Sequence, residues 1–421
     1  MRISFRFSLA KLLILFTIVA IILSIAGKRL FDSNNQKLVV DALRSDDSTA
    51  TQGVPAGLGP RTFKNAGSGV RIIYDFESDT DGELFLSLDA KTQANQKGLS
   101  RFIDWFGLDY CHNVEAIEFE RAIEKEDIAL LRKLPGLKRL KLEEGFRWDY
   151  SAQTIGEKLP DGSTVLDELV TLKKLEVLEL PCIPIPKLSE LPQLKELTLH
   201  SLSLDATQLK KICDCKTLTK LDLNYVSIAH EEFKGARAIP SLKRLRWSGG
   251  GVQEQVDLGF LRNFPNLTDL RLRNQFSVSD AAIKEIGKLN KLESLVLQPS
   301  NIRSTRMQKL NPFAMFGEKL SELSSKDEPA INWEPMSNLK RLKHVEMDFD
   351  EVSNEAMRHI CSASKGIKRI SIAHSYVGNK GMDFLESLSN PETIRLGGTR
   401  ITKTGIAGFV DAHPGCVIVW H

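Results

Sequence analysis

The chain has 421 residues, of which 42% are hydrophobic and 26% charged, the balance of a folded protein with a sizeable core. Its formal charge is +3, but Arg2, Arg6, Lys11, Lys28 and Arg29 supply five positive charges, so residues 30–421 sum to about −2. That remainder excludes the strongly basic character of a nucleic-acid-binding protein, and no nucleic-acid partner is expected.

The first 30 residues, MRISFRFSLAKLLILFTIVAIILSIAGKRL, place an uncharged run from Leu12 to Gly27 behind a basic leader. About 18 residues at ~1.5 Å rise cover ~27 Å, the thickness of a hydrocarbon core, so a single-pass transmembrane anchor is expected through residues 9–27. Ser24, Ile25 and Ala26 also fit the small-x-small site of a cleaved secretory signal, which stands as the alternative. Basic residues flank both ends, and the leader tips the positive-inside balance toward a cytoplasmic N-terminus with the bulk of the chain outside the cytoplasm. Residues 31–69 read as a juxtamembrane connector, with a short helix over Gln36 to Leu43 and then a flexible linker around STATQGVPAGLGP.

From Val114 onward one template recurs: apolar, two variable residues, apolar, one variable, apolar. Its copies are VEAIEF, LKRLKL, LEVLEL, LKELTL, LTKLDL, LKRLRW, LTDLRL, LESLVL, LKHVEM, IKRISI and PETIRL, mostly 23 to 25 residues apart. One interval carries an insertion near residues 143–163. Another, of 50 residues, is twice the usual period, so a degenerate copy is expected inside it, with LSEL from Leu320 as the candidate, and a second insertion is placed near residues 300–335. Alternating apolar positions in the template demand a short strand, and stacked copies make a parallel sheet buried by its own neighbours. The returning halves, such as VSNEAMRHICSASKG, have helical spacing and are expected on the outside.

These residues make the chain resemble a leucine-rich repeat protein of the cysteine-containing or ribonuclease-inhibitor-like subclass, over roughly Val114 to His421. SYVGNKGMDFLESL and TRITKTGIAGFV are similar to that subclass's "x-I-T-D-x-G-L-x-x-L" segment, with Gly381 and Gly405 at its glycine and Asn379 and Lys403 where its Asp stands. RFSLAKLLILF, NQKLVVDALR and VRIIYDFE resemble the leader, short helix and first strand of membrane-anchored bacterial leucine-rich repeat proteins. The resemblance implies an α/β solenoid, with a curved parallel sheet on its concave face and helices on its convex face, behind an N-terminal transmembrane helix. The domains are then 1–30 leader and anchor, 31–69 connector, 70–113 N-terminal cap, 114–410 repeats and 411–421 a C-terminal cap strand, GCVIVWH.

The CxC of KKICDCKTLTKLDL, Cys213 and Cys215, invites a metal or redox reading. Register opposes it: Cys215 and Cys111 occupy a slot three residues before the template that in eight other copies is Leu, Ile or Phe, and Cys361 a slot six residues before it. Cysteine there acts as a small hydrophobe. Cys182 and Cys213 fit no such slot, but neither has further ligands nearby to complete a metal site. HExxH, GxSxG and GxxxxGK[ST] patterns are all missing, so no catalytic constellation, metal site or cofactor is assigned.

Two candidate binding regions remain. Exposed strand positions bring Lys220, Arg244, Arg246, Arg271 and Arg273 onto the concave face of three adjacent repeats, a site for an acidic partner or, alternatively, an ordinary solvated face of paired charges. The insertions bring aromatic residues, Phe146, Trp148 and Tyr150 in one and Phe313, Phe316 and Trp333 in the other, which either anchor a partner or fold back over the core edge. The sequence therefore points to a non-enzymatic, membrane-anchored module for protein–protein interaction or scaffolding. Alternatives are a cytoplasmic-facing adaptor similar to ubiquitin-ligase leucine-rich repeat subunits, although no F-box-like segment precedes the repeats, and a secreted enzyme inhibitor.

Overall fold

The computed structural model describes residues 17, 20, 21, 24, 28, 29, 31–40, 70–74, 113–119, 123, 125–142, 165–181, 185–201, 203–228, 237–249, 258–273, 278–299, 331–349 and 351–420. The chain divides into two compact units, Met1–Glu179 and Leu180–His421.

In the first unit, helix α1 covers residues 31–40. Strand β1 (Val70–Tyr74) pairs antiparallel with β2 (Val114–Phe119), which continues in parallel to β3 (Arg139–Leu142) and β4 (Val177–Leu180). The expected cap strand is thus present, and its antiparallel direction ends the parallel ladder. Helix α2 (Lys125–Leu131) links β2 to β3, burying Ile128 and Leu131. Helix α1 is not part of a free tether. Its Gln36 is buried and accepts a hydrogen bond from the Val114 backbone N–H at 2.9 Å, while Val39 and Val40 are also buried. The expected helix therefore begins earlier than Gln36, and burial of its inner face makes it part of the fold.

In the second unit the strands run β5 (Glu196–His200), β7 (Lys220–Asn224), β9 (Arg244–Ser248), β10 (Asp269–Arg273), β11 (Ser294–Gln298), β12 (His344–Met347), β13 (Arg369–Ser371), β14 (Thr393–Arg395) and β15 (Val417–Val419). Every neighbouring pair for this series is parallel. Two-residue strands β6 (Ser203–Leu204) and β8 (Ser227–Ile228) form a small second sheet beside it. The returning segments are helices α3 (Ala206–Cys213), α4 (Asp280–Ile286), α5 (Asn354–Ala363), α6 (Asn379–Glu386) and α7 (Lys403–Ala412), with short 3-10 turns in other repeats. The architecture is the α/β repeat stack that the leucine template dictates.

Helix starts are set by side-chain caps. Asp205, Ser279, Ser353 and Thr402 each accept from the N–H three residues on, which satisfies a donor that the first turn leaves over. Repeats also cap each other: Asn354 Oδ1 accepts from Gly378 N–H and Asn379 Oδ1 from Thr402 N–H, both at 2.9 Å. These amides explain Gly381 and Gly405, where a Cβ would run into Val377 and Asn354 in one case and Asn379 in the other. Asn379 thus does structural work at the position where the resembling subclass has Asp.

Two expectations are corrected. β11 pairs directly with β12, Ser294 opposite His344, so the 50-residue interval contributes no strand between them and holds no degenerate sheet repeat. The expected remnant from Leu320 lies outside the described residues. Trp333 is not a partner anchor: it is 1% exposed and its ring lies 6.4 Å from that of Phe349. It stands nine residues before its template, the slot held by buried Ile128, Leu166, Ile185, Leu209, Leu258, Ile283 and Met382, and by exposed Arg358 in the repeat of β13. Trp148, Tyr150, Phe313 and Phe316, with Phe146, lie outside the described residues. Among the described residues no helix is long and apolar enough to cross a membrane, and most of residues 9–27 lie outside them.

Truncating a fully buried aromatic removes its transfer free energy and leaves a cavity, so Trp333→Ala should cost about 3–5 kcal/mol. Urea unfolding monitored by circular dichroism measures it. A loss near zero would return Trp333 to the surface.

A candidate interaction face on the sheet

Parallel register turns the strand positions between the inward leucines into rows, in which Asp222, Val296 and Ser371 are themselves buried. The first row runs Glu196, Lys220, Arg244, Asp269, Ser294, His344, Arg369 and Thr393. A second runs Thr198, Asp222, Arg246, Arg271, Val296, Glu346, Ser371 and Arg395, and a third runs His200, Asn224, Ser248, Arg273 and Gln298. Neighbours in a row stand about 4.8 Å apart at the backbone, close enough for charges to act on one another.

The five expected cations are brought together on β7, β9 and β10. The same face of these strands holds two carboxylates, Asp222 and Asp269, so five against two leaves an excess of three positive charges. Each cation has a carboxylate within reach. Lys220 lies 3.1 Å from Glu196 and 3.5 Å from Asp222, Arg244 3.3 Å from Asp269, and Arg271 3.1 Å from Asp269. Arg246 is 4.0 Å from Asp222 and Arg273 4.0 Å from Glu346 of β12. Glu346 also accepts from the Gln298 amide at 2.6 Å.

This distribution sorts the five. Lys220 and Arg271 are held by the closest pairs. Arg246 and Arg273 are at the limit of ion pairing and have side chains 38% and 46% exposed. Arg246 sits beside Arg271 in its row, and its Nε is buried with no hydrogen-bond partner. Burial, and next the charge of Arg271, push its pKa below the usual guanidinium value. Asp222 carries the opposite strain: burial raises its pKa despite Lys220 and Arg246, and its Oδ1 has no partner.

Sequence reasoning missed Tyr225, which directly follows β7 and is 66% exposed. Its φ of 55° is a costly conformation for a bulky residue. Its N–H donates to Ser248 O at 2.8 Å, which ties the turn to the neighbouring strand. The turn recurs: seven residues after the template start, Ser201, Tyr225 and His374 all have positive φ, as does Gly398. Arg369 and Arg395 continue the rows toward the C-terminus and were legible from the same template, although Arg369 pairs with Glu392 at 3.8 Å. On the first unit, Glu118, Lys141 and Glu179 form one row, with Lys141 2.8 Å from Glu118 and 3.8 Å from Glu179.

The cysteines do not join this face. Cys213, Cys215 and Cys361 are buried free thiols, and Cys416 is a free thiol at half-exposed β15. Burial pushes the Cys213 thiol to about 11 and that of Cys361 to about 12. Cys111 and Cys182 lie outside the described residues.

No protein-family model and no curated protein matches the sequence. Among solved structures, the chain is similar to an internalin (inlF) from Listeria monocytogenes at 17% identity, covering 70% of each chain, with a TM-score of 0.44. It is also similar to a chain of the mouse RP105/MD-1 complex at 19% identity, covering 68% of this chain and 42% of that one, with a TM-score of 0.43.

Two measurements check this site. In native protein at neutral pH, maleimide should label Cys416 at least ~100-fold faster than Cys361, because thiolate fraction and access both favour it; mass spectrometry of digested, timed samples reads the rates. Asp222 has a native pKa above its ordinary 3.8, so the native state takes up this proton before the unfolded chain does. Its stabilising contribution is therefore present below the unfolded pKa and is lost as pH rises through the raised native one. Asp222→Asn should be more stable than wild type at pH ~7, with the difference closing toward pH ~4. Thermal unfolding across that range decides it, and a variant less stable than wild type at neutral pH would show that the ion pairs outweigh burial.

Proposed function

We propose that this protein is a non-enzymatic, membrane-anchored leucine-rich repeat module whose sheet face over β7, β9 and β10 receives an acidic segment of a protein partner. The observation that carries this reading is the excess of cations on three adjacent strands, with Arg246 and Arg273 the least satisfied of them. An incoming carboxylate would meet donors that the face does not fully use, and charge-assisted hydrogen bonds to guanidinium are the stronger kind. Tyr225 at the margin adds an exposed aromatic ring, and Tyr and Arg are the residue types that carry most energy at interfaces. Anchoring is supported by the uncharged run from Leu12 to Gly27, with the repeats outside the cytoplasm by the charge of the leader. The paired charges keep the face soluble until a partner displaces them.

Binding of a fluorescent Glu/Asp-rich peptide to the purified chain tests this reading directly. Changing Arg244, Arg246, Arg271 and Arg273 together to Glu should weaken binding by at least about tenfold, and raised salt should weaken wild-type binding in the same sense. Tyr225→Ala should weaken it with little change in salt dependence. Equal affinity of wild type and the charge-reversed chain at low salt would sink the proposal, and preferential capture of a sulfated polysaccharide over the peptide would replace the protein partner with an anionic polymer.

A further inference from the structure

The loops that lead into β11, β12 and β13 hold more unbalanced positive charge than the sheet face does. Lys288 and Lys291 precede β11, Lys340, Arg341 and Lys343 precede β12, and Lys365 and Lys368 precede β13. Across residues 288–293, 338–343 and 363–368 these seven cations stand against one carboxylate, Glu293. The repeat forces them outward. Leu289, Leu292, Leu339, Leu342 and Ile367 fill the inward slots of the same loops and are buried, so the residues between them face water, and six of the seven cations are exposed. The backbone holds them in line: Lys343 N–H donates to Glu293 O and Lys368 N–H to Lys343 O, both at 2.8 Å, which sets consecutive loops one strand spacing apart.

Pairing neutralises little of this charge. Glu293 holds Lys343 at 2.7 Å, Glu285 of α4 holds Lys288, and Glu392 holds Lys368 at 3.7 Å. Lys291 and Lys365 donate to neutral groups, Asn266 Oδ1 and Ser387 Oγ, and Lys340 and Arg341 form no ion pair among the described residues. On the sheet face, by contrast, every one of the five cations has a carboxylate within 4.0 Å.

We propose that this strand-entry edge rests on the headgroups of an anionic bilayer, so that these repeats lie against the membrane. The proposal rests on the membrane-anchor reading. Three features select this occupant. First, six of the seven cations are lysines, compact hydrated charges on flexible stems that suit mobile lipid phosphates, whereas four of the five on the sheet face are arginines, whose planar fork suits a fixed carboxylate. Second, the three loops contain no aromatic residue, so a nucleobase would find nothing to stack on, while a charged bilayer asks for none. Third, the segment that follows the uncharged run meets the first unit at the same kind of edge. Arg29 Nη1 donates to Asn113 Oδ1 at 2.6 Å and Gln36 accepts from Val114 N–H, both at the entry to β2, and the loops entering β3 and β4 carry Lys133, Lys138, Lys173 and Lys174. With the entry edge of β11, β12 and β13 on the headgroups, these strands point away from the bilayer. Their sheet face, whose side chains project across the strands, stays open to a partner.

The test uses the full chain in phosphatidylcholine vesicles with and without phosphatidylglycerol, at low salt. Lysine acylation by an N-hydroxysuccinimide ester, followed by mass spectrometry of timed samples, should be at least about fivefold slower at Lys340, Lys343 and Lys365 when phosphatidylglycerol is present. It should be unchanged at exposed Lys380 and Lys403, which lie in the first turns of α6 and α7. Raised salt should remove the protection, and so should the double variant Lys340→Glu with Arg341→Glu at Lys343 and Lys365, with thermal unfolding as in wild type. Equal rates at Lys340 in both vesicles, or the same slowing at Lys380, overturn the edge proposal while a chain that resists alkaline carbonate extraction keeps the anchor. Slowing by a soluble sulfated polysaccharide but not by phosphatidylglycerol overturns the bilayer as the partner. Release of the chain by alkaline carbonate overturns the anchor reading and the proposal with it.

Discussion

The hydrogen-bonded ladder between equivalent strands is the constraint on which the other features depend. Leu245 faces Leu221 on one side and Leu270 on the other, and all three are buried because neighbouring repeats cover them. A single repeat cannot bury its own leucines, so each stabilises only in the company of the next. The same ladder fixes the opposite surface. Once leucines are locked inward, the residues between them point outward and stack in rows, whatever their charge.

That coupling explains why the fold was legible in the sequence and the site only partly so. The template gave strand positions closely, since LxxLxL admits one register with its leucines inside. The slots three and six residues before it were equally readable and placed Cys215 and Cys361 in the core, as the structure has them. Trp333 takes the inward alternative that the aromatic insertions leave open, because its slot nine residues before the template belongs mostly to buried residues. The 50-residue interval misled for a related reason. Its length suggested another repeat, but spacing does not say whether a strand joins the ladder, and the Ser294–His344 pairing leaves no place for one. Helix α1 was anticipated as a helix but not as part of the core, because Gln36 docks through its amide on a backbone N–H, a contact that no apolar period announces.

At the sheet face, composition alone could not separate a basic patch from a mixed surface. The sequence places five cations on three strands but is silent on pairing distances, and these divide the group. Lys220 and Arg271 have carboxylates near 3.1 Å, whereas Arg246 and Arg273 reach theirs only at 4.0 Å. Exposed ion pairs contribute little to stability, so such a face costs the fold little when its pairs are exchanged for a partner's carboxylates. Burial of Asp222 beside them has the opposite character. A desolvated carboxylate with an unpartnered oxygen opposes folding, and its retention has a clearer rationale in setting the charge balance of the face than in stability.

The docked helix changes how the segment ahead of the repeats is held. A flexible linker would carry the entropic cost of being fixed whenever the chain was ordered. Gln36 and Arg29 instead tie this segment to the start of β2, through a buried backbone N–H and the Asn113 amide, so the helix is ordered together with that strand.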